Sequence, residues 1–345
     1  MRAVFAALAA NLGIAVAKFA AFLLTGSASL LAEAVHSVAD TFNEVLLLIG
    51  HGRSSRARTE EHPFGFGGER YFYGFIVAVL LFSVGAGFSA YQGIHKILHP
   101  EPVRSAGIAF AVLGVSAVLE SFSLRTGVRE ANGVRGDRGW LTFIRRAKAP
   151  ELVVVLLEDL AALTGLFLAF AGVLLAVLTG NGAWDGAGSV GISVLLALAA
   201  TVVAVETKSL LIGESAGAEV LEALVQAVED GPGGFRVIHL RTTHVGPESL
   251  LVAAKIAVPP GTSAEVIAAG IDAAERRMRA AVPIAETIYL EPDIYRPYRA
   301  DQTDPSIRSV ARSRRPRRDH TARDGQGPGL PGPAAYVLRS PPSAL

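Results

Sequence analysis

The segment from Ser29 to Glu44 reads SLLAEAVHSVADTFNE and carries four ionisable side chains within an apolar part of the chain. AKFAAFLLTGSA precedes the segment and VLLLIGHG follows it closely. The four side chains are spaced by three or four residues and therefore share one face of a helix: Glu33, His36, Asp40 and Glu44. Such a helix is either a soluble amphipathic helix or a membrane helix with a polar interior face, and the rest of the sequence decides between them.

The composition favours the membrane interpretation. The chain has 345 residues, of which 51% are hydrophobic and 18% are charged, whereas soluble domains carry about 25% charged residues. The net charge of +1 gives no indication of a nucleic-acid partner. Cysteine is absent from the sequence, which excludes disulfides and thiolate metal sites.

Six apolar stretches are each long enough to cross a bilayer, which requires about 20 residues in a helix. They fall near residues 3–25, 28–50, 71–95, 105–125, 150–179 and 187–212. A cleavage site typical of a signal peptide does not follow the first stretch, so we expect an uncleaved first helix.

The basic residues are concentrated in two of the five connections between these stretches. Those connections contain Arg53, Arg56 and Arg58 in one case, and Arg125, Arg129, Arg135, Arg138, Arg145, Arg146 and Lys148 in the other. The other three connections contain only Lys96 and Arg104. Because basic loops stay in the cytoplasm, we predict a six-helix membrane protein of the cell membrane with both termini inside.

The sequence changes character after about residue 212. Amphipathic segments at helical spacing alternate with apolar runs of strand length in the order α-β-β-α-β, which indicates a small α+β domain. We therefore predict a transmembrane domain of six helices at 1–211, a cytoplasmic domain at 212–297 and a tail at 298–345. The tail is rich in Arg, Pro and Gly, so we expect it to be disordered.

The ionisable residues within the apolar stretches are candidate metal ligands, because such groups are costly in a membrane and usually functional. His36 and Asp40 form an H-x-x-x-D pair that can hold one divalent cation. A second helix must complete the site, and the fifth stretch supplies Glu158 and Asp159 in VVVLLEDLAALTG. The alternative is that these groups only join helices by hydrogen bonds.

The order of several long motifs resembles the cation diffusion facilitator family over about residues 1–297. The motifs are ANLGIAVAKF, TGSASLLAEAVHSVAD, HPFGFGGERYFY, YQGIHKILHPEP, LLIGESA, HLRTTHVGPESLLVAAKIAV and AERRMRAAVPIAETIYLEPDIYR. The resemblance implies six transmembrane helices, a cytoplasmic ferredoxin-like dimerisation domain and a homodimer. It also implies export of zinc or a related divalent cation, driven by inward proton movement.

The family's site residues carry over unevenly. The pair on the second helix falls on His36 and Asp40, whereas the usual H-x-x-x-D of the fifth helix aligns with Val155 and Asp159. The site is then His36, Asp40 and Asp159, with a fourth ligand from Glu158, Asn43 or water. A site with one imidazole and several carboxylates admits manganese, iron or cobalt beside zinc.

Other polar positions have weaker functional interpretations. In the loop after the second helix His62 remains, but the partner position is Phe66. The metal positions of some relatives' soluble domains fall near Ile238, Ala254 and Leu290, so we expect a dimerisation module without a metal. Lys18 is either a lysine that reaches the membrane interface or a counter-charge for the acidic cluster, and we favour a structural role.

We predict a cation/proton antiporter and no enzyme, with the divalent cation as the transported substrate and no cofactor. Two alternatives stay open. One is a membrane metal-binding regulator or scaffold that does not transport. The other is an intramembrane metallohydrolase, although the sequence has no H-E-x-x-H motif.

Overall fold

The computed structural model describes residues 2–294 with the exception of 138 and 149, and it leaves the side chains of residues 2–10, 145 and 146 undescribed. The predicted tail at 298–345 and the side chains of Arg138, Arg145 and Arg146 lie outside this part. The N-terminal two thirds of the described chain is helical, and a small sheet lies near its C-terminal end.

Six long helical segments make up the N-terminal part. They are α1 (Arg2–Thr25), α2 (Ala28–Ser54), a third segment from Gly68 to Leu98, α5 (Ala106–Arg135), α7 (Pro150–Thr179) and α8 (Ala183–Ile212), with the short α6 (Trp140–Arg146) before α7. Each contributes an apolar side chain to one core, which includes Ala21, Leu30, Leu81, Leu113, Leu166 and Leu196. The core is therefore shared by all six segments, and each is required to close it.

The third segment is interrupted in its middle. It consists of α3 (Gly68–Leu80), a π-helical segment (Leu81–Ala86) and α4 (Gly87–Leu98). The amide of Gly87 donates to the carbonyl of Phe82, five residues earlier. Two serines of α8 bind carbonyls here: Ser193 Oγ donates to Ala86 O and Ser189 Oγ to Ser89 O, both at 2.8 Å.

Four helices in the described part are long and apolar enough to cross a membrane: Gly68–Leu98, Ala106–Arg135, Pro150–Thr179 and Ala183–Ile212. Residues Asn11–Thr25 form a shorter apolar helix by the same criterion. The ionisable face of α2 makes that helix too polar to qualify by composition. The protein is thus a multi-pass membrane protein, and the count of six spans stays a prediction.

Several helix boundaries differ from the prediction, and two of these differences affect how the charged residues are interpreted. α5 continues ten residues past 125, so that Arg125, Arg129 and Arg135 lie on the helix and not in a loop. The helix continues because Gly127 and Ala131 are buried while Arg125 and Arg129 are exposed, so that one face of the helix stays packed. α8 begins at Ala183, four residues earlier than predicted, which places Asp185 in its first turn.

The sheet follows the predicted order α-β-β-α-β. Its elements are α9 (Ala218–Glu229), β1 (Arg236–Gly246), β2 (Ser249–Ala257), α10 (Ala264–Ala281) and β3 (Thr287–Asp293). β2 is central, antiparallel to β1 and parallel to β3. Leu224, Leu250, Ile256 and Met278 are fully buried between the helices and the sheet, which gives this part a core of its own.

Ion pairs and one close backbone contact join the sheet to the helical part. Arg58 pairs with Glu286, and Arg70 approaches Glu248 at 3.4 Å. Before α3, a β carbon on Gly67 would lie only 2.8 Å from the Cα atom of Gly246 in β1. The sheet therefore lies at the end of the bundle where α2 ends and α3 begins.

Candidate cation site

The first turn of α2 is fixed by a carboxylate from another helix. Asp185 of α8 is fully buried and accepts hydrogen bonds from Ser27 Oγ at 2.7 Å, from the amide of Ala28 at 2.6 Å and from that of Ser29 at 3.2 Å. A carboxylate at a helix N-terminus accepts hydrogen bonds from amide groups that have no partner within the helix, and it interacts favourably with the positive end of the helix dipole. The early start of α8 is what brings Asp185 to this position.

His36 and Asp40 lie one turn apart on α2, as the H-x-x-x-D spacing predicts. His36 Nδ1 is 3.2 Å from Asp40 Oδ1. Nevertheless, both nitrogens of the buried imidazole and this carboxylate oxygen have no hydrogen-bond partner among the described residues. Buried polar atoms normally have hydrogen-bond partners, so these nitrogen and oxygen atoms are available to bind a ligand.

The two acids of α7 face different neighbours. Glu158 Oε1 accepts a hydrogen bond of 2.6 Å from Asn43 Nδ2 of α2. Both carboxylate oxygens of Asp159 lie 3.1 Å from Ser123 Oγ of α5. Consecutive residues are about 100° apart on a helix, which explains why one acid faces α2 and the other faces α5.

A cavity of about 50 Å³ lies between α1, α2, α5 and α7. Its lining is strongly acidic and consists of Asn11, Ile14, Ser37, Asp40, Glu44, Glu120, Ser123, Val155, Glu158, Asp159 and Ala162. A water molecule needs roughly 10–15 Å³ by a comparable measure, so the cavity has room for a cation with a few waters.

Three of the four predicted ligands line this cavity, namely Asp40, Glu158 and Asp159, whereas His36 does not. Within residues 2–294 less the two gaps, no group of three or more His, Asp or Glu side chains is close enough to hold a metal ion. Asn43 and Ser123 occupy the two acids of α7, which keeps the predicted ligands apart in this conformation.

Sequence reasoning missed four polar residues of the cavity, one of which is Ser37 of α2. Glu120 and Ser123 belong to α5, and Asn11 of α1 donates a 2.7 Å hydrogen bond to Glu44 Oε1. The signal that could have identified Glu120 is a single acid in the middle of an apolar helix, SAVLESFSL. Such an acid is costly wherever it does not face a polar interior.

Lys18 does not reach the membrane interface. Its side chain is fully buried, and its Nζ lies 3.1 Å from Glu33 Oε2 and 2.8 Å from Ser37 Oγ. Of the two interpretations of Lys18 the counter-charge applies, but its partner is Glu33 and not the acids that line the cavity.

The auxiliary positions do not gather ligands either. His62 stacks on Phe66 with 4.6 Å between the ring centroids. In β1, His244 is buried and its amide donates to the carbonyl of Glu214 at 2.9 Å. Burial lowers the pKa of the His244 imidazole, and the charge of Lys148 lowers it further. His244 is thus a neutral packing residue of the sheet.

Residues 4–212 match the family described as the cation efflux transmembrane domain. The chain is 35% identical over 242 residues to the mitochondrial proton-coupled zinc antiporter SLC30A9 of Xenopus laevis, covering 69% of this chain and 43% of that protein. It is 29% identical over 257 residues to metal tolerance protein C4 of Arabidopsis thaliana, covering 74% and 56%.

A third relative is similar over a larger share of its own length. The magnetosome protein MamB of Paramagnetospirillum magneticum is 23% identical over 273 residues, which covers 78% of this chain and 85% of that protein. By contrast, the chain spans less than half the length of the frog antiporter.

Proposed function

Because the chain belongs to the cation diffusion facilitator family, we propose that it carries a divalent metal cation across a membrane in exchange for protons. One observation carries the proposal: Asp40, with an unpartnered carboxylate oxygen, lines an acidic cavity inside a bundle of apolar helices, and the unpartnered imidazole of His36 lies 3.2 Å from that oxygen. Intramembrane ionisable groups of this kind typically mark an ion pathway. Exchange for protons is supported by the similarity to the frog protein, a proton-coupled zinc antiporter.

Zinc is the first candidate cargo, on the strength of the relatives' names. The donor set contains one imidazole and several carboxylates, and hard oxygen donors also suit manganese and iron. We therefore propose zinc with manganese, iron and cobalt as alternatives. His36, Asp40, Glu158 and Asp159 are the proposed ligands, and the cation is a substrate that passes through.

The proposed binding step requires α7 to move towards α2. Asp159 and Glu158 exchange Ser123 and Asn43 for the cation, and His36 turns its free nitrogen to the same point. The neutral hydrogen-bond partners are weaker competitors than a divalent ion. The bundle then opens on the other side, and protons replace the cation on its ligands, because metal ligands must be deprotonated.

The topology is also part of the proposal. Six spans place both termini and the sheet on the cytoplasmic side, with the acidic cavity near mid-membrane, and the sheet serves as a dimerisation module. The frog relative is described as mitochondrial, whereas the cell membrane is our proposal for this chain.

Flux measurements in proteoliposomes test this function. We expect Zn²⁺ to move against an imposed proton gradient, to reverse when the gradient is reversed, and to compete with Mn²⁺, Fe²⁺ and Co²⁺. His36→Ala and Asp40→Ala should abolish flux while the chain still folds, since each removes a strong ligand. Binding without gradient-dependent flux would support a regulator or scaffold, and wild-type flux in either variant would contradict the proposed site.

A further inference from the structure

A row of buried polar side-chain atoms follows one face of α2. Glu33 Oε1, both nitrogens of His36, Asp40 Oδ1 and Asn43 Oδ1 all lack a hydrogen-bond partner within the described residues. The four residues are spaced by three or four positions and cover about 15 Å along the helix axis. His36 and Asp40 are only the middle of this row, which continues beyond the cavity towards the end of α2 that is farther from the sheet.

At that end of α2 the row adjoins an ammonium group that belongs to α1. Lys18 of α1 is fully buried, and its Nζ is held by Glu33 Oε2 at 3.1 Å and Ser37 Oγ at 2.8 Å. Ser37 also lines the acidic cavity. The positive charge of Lys18 therefore lies directly behind the cavity wall, bound by two oxygen atoms.

Stability alone does not account for this pair. Removing two charges from water costs several kcal/mol for each ion, and apolar replacements of a buried pair are often neutral or stabilising. A pair that only anchored α1 could be replaced by two apolar residues of similar volume. The pair also leaves the second oxygen of Glu33 without a partner, which is a further cost.

We propose that Glu33 is a second cation position on the path, and that the Lys18 ammonium occupies it as a tethered substitute for the cargo. This inference rests on the proposed transport function and adds a step to it. In the conformation described here the substitute is bound. A cation that leaves His36 and Asp40 in the direction of Glu33 must first displace Lys18. Glu33 therefore binds either the metal cation or the Lys18 ammonium, and not both at once.

The surroundings of Glu33 support this assignment. Its Oε1 points at Gly165 of α7, where even a β carbon would collide with it. Glu33 thus lies where α1, α2 and α7 meet, and the missing side chain of Gly165 provides the space that this oxygen occupies. Beyond Glu33, Asp185 and the serines at the start of α2 close the bundle. Release of a cation on this side therefore requires that the Lys18–Glu33 pair separates and that the hydrogen bonds between Asp185 and the start of α2 break.

Binding stoichiometry in the purified full-length protein tests the inference. Equilibrium dialysis against Zn²⁺, and separately Mn²⁺, should show one further bound cation per chain in Lys18→Met, because the carboxylate of Glu33 becomes available. Lys18→Arg keeps the charge and should bind the wild-type amount. The double variant Lys18→Met with Glu33→Gln should lose the additional cation again, whereas a purely structural role predicts no change in stoichiometry.

A second variant covers the case in which Lys18→Met does not fold. Lys18→Gln is neutral and can still donate to Ser37, and it should show the same gain. Unchanged stoichiometry in folded Lys18→Met or Lys18→Gln would overturn the inference. Because dialysis measures binding and not transport, absence of flux in the wild-type protein would contradict only the proposed function.

Discussion

At the scale of single residues, local spacing was informative and contacts between helices were not. The H-x-x-x-D pattern predicts that His36 and Asp40 adjoin, and their side chains lie 3.2 Å apart. The hydrogen-bond partner of Glu158 depends on how α2 crosses α7, because the crossing determines which residue of α2 faces the Glu158 carboxylate. Asn43 could therefore be named as a candidate ligand but not as the hydrogen-bond donor to Glu158.

The two acids of α7 should differ in their importance. Among the described residues Asp159 accepts from the hydroxyl of Ser123 alone, so it is easily released to a cation, whereas Glu158 accepts from the side-chain amide of Asn43. Asp159→Asn should weaken apparent Zn²⁺ affinity by at least about tenfold, and Glu158→Gln should weaken it less. Isothermal titration of both variants measures this difference. A larger loss in Glu158→Gln would show that the assumed roles of the two acids are reversed.

At the scale of helices and strands, apolar length predicted where the long helices are but not where they end. The bounds of α7, Pro150–Thr179, are those predicted from the sequence. The start of α8 does not match its prediction, because Asp185 lies in the segment TGNGAWDGAG, whose glycines and asparagine are typical of a loop. Its carboxylate instead caps a helix more than a hundred residues away in the sequence, and no local pattern indicates such a partner.

Loss of the Asp185 carboxylate should destabilise the bundle. Asp185→Ala leaves the amides of Ala28 and Ser29 and the hydroxyl of Ser27 without their acceptor. Hydrogen bonds to charged groups contribute about 1.5–3 kcal/mol, and we expect a loss of roughly that size. Thermal unfolding in detergent measures it, with Thr201→Ala on an exposed face of α8 as the control. Equal melting temperatures for the two variants would contradict the capping role.

At the scale of the whole molecule, the sequence predicted a helical part followed by α-β-β-α-β, because both patterns are periodic. It did not predict how the parts touch. Lys148, which precedes α7, pairs with Glu214, which follows α8, while Arg70 pairs with Glu151 and approaches Glu248. These contacts depend on the folded positions of distant segments, and charge alone could not select among many possible pairs.

Acid should weaken the sheet through His244 before it breaks the contact at Glu214. Burial lowers the pKa of His244, so below about pH 6.5 the unfolded chain binds a proton that the folded chain does not. Stability should then fall with decreasing pH by up to about 1.4 kcal/mol per pH unit. Burial alone would raise the pKa of Glu214, but hydrogen bonds from Lys148 and Ser209 outweigh it and lower the pKa. That ion pair therefore persists until the pH falls below the ordinary carboxyl range.

Hydrogen exchange of β1 amides in the full-length protein, measured between pH 7 and 5 and corrected for intrinsic rates, tests this order. His244→Gln should flatten the pH dependence, whereas His62→Gln at an exposed position should not. The same slope in wild type and His244→Gln would show that another group is responsible.

The π-helical segment at Leu81–Ala86 determines the rotational phase between the two halves of the third span. A regular α-helix through these positions, with one residue fewer, would turn everything after it by about 100° relative to everything before it. The carbonyls of Ala86 and Ser89 would then face away from Ser193 and Ser189. Gly93, which packs against the backbone of α8 at Gly186, would turn away with them. Insertion or deletion of one residue in this span is therefore not equivalent to the same change in a loop, because each residue rotates the rest of the helix. The extra residue of the π-helical segment keeps both halves facing α8.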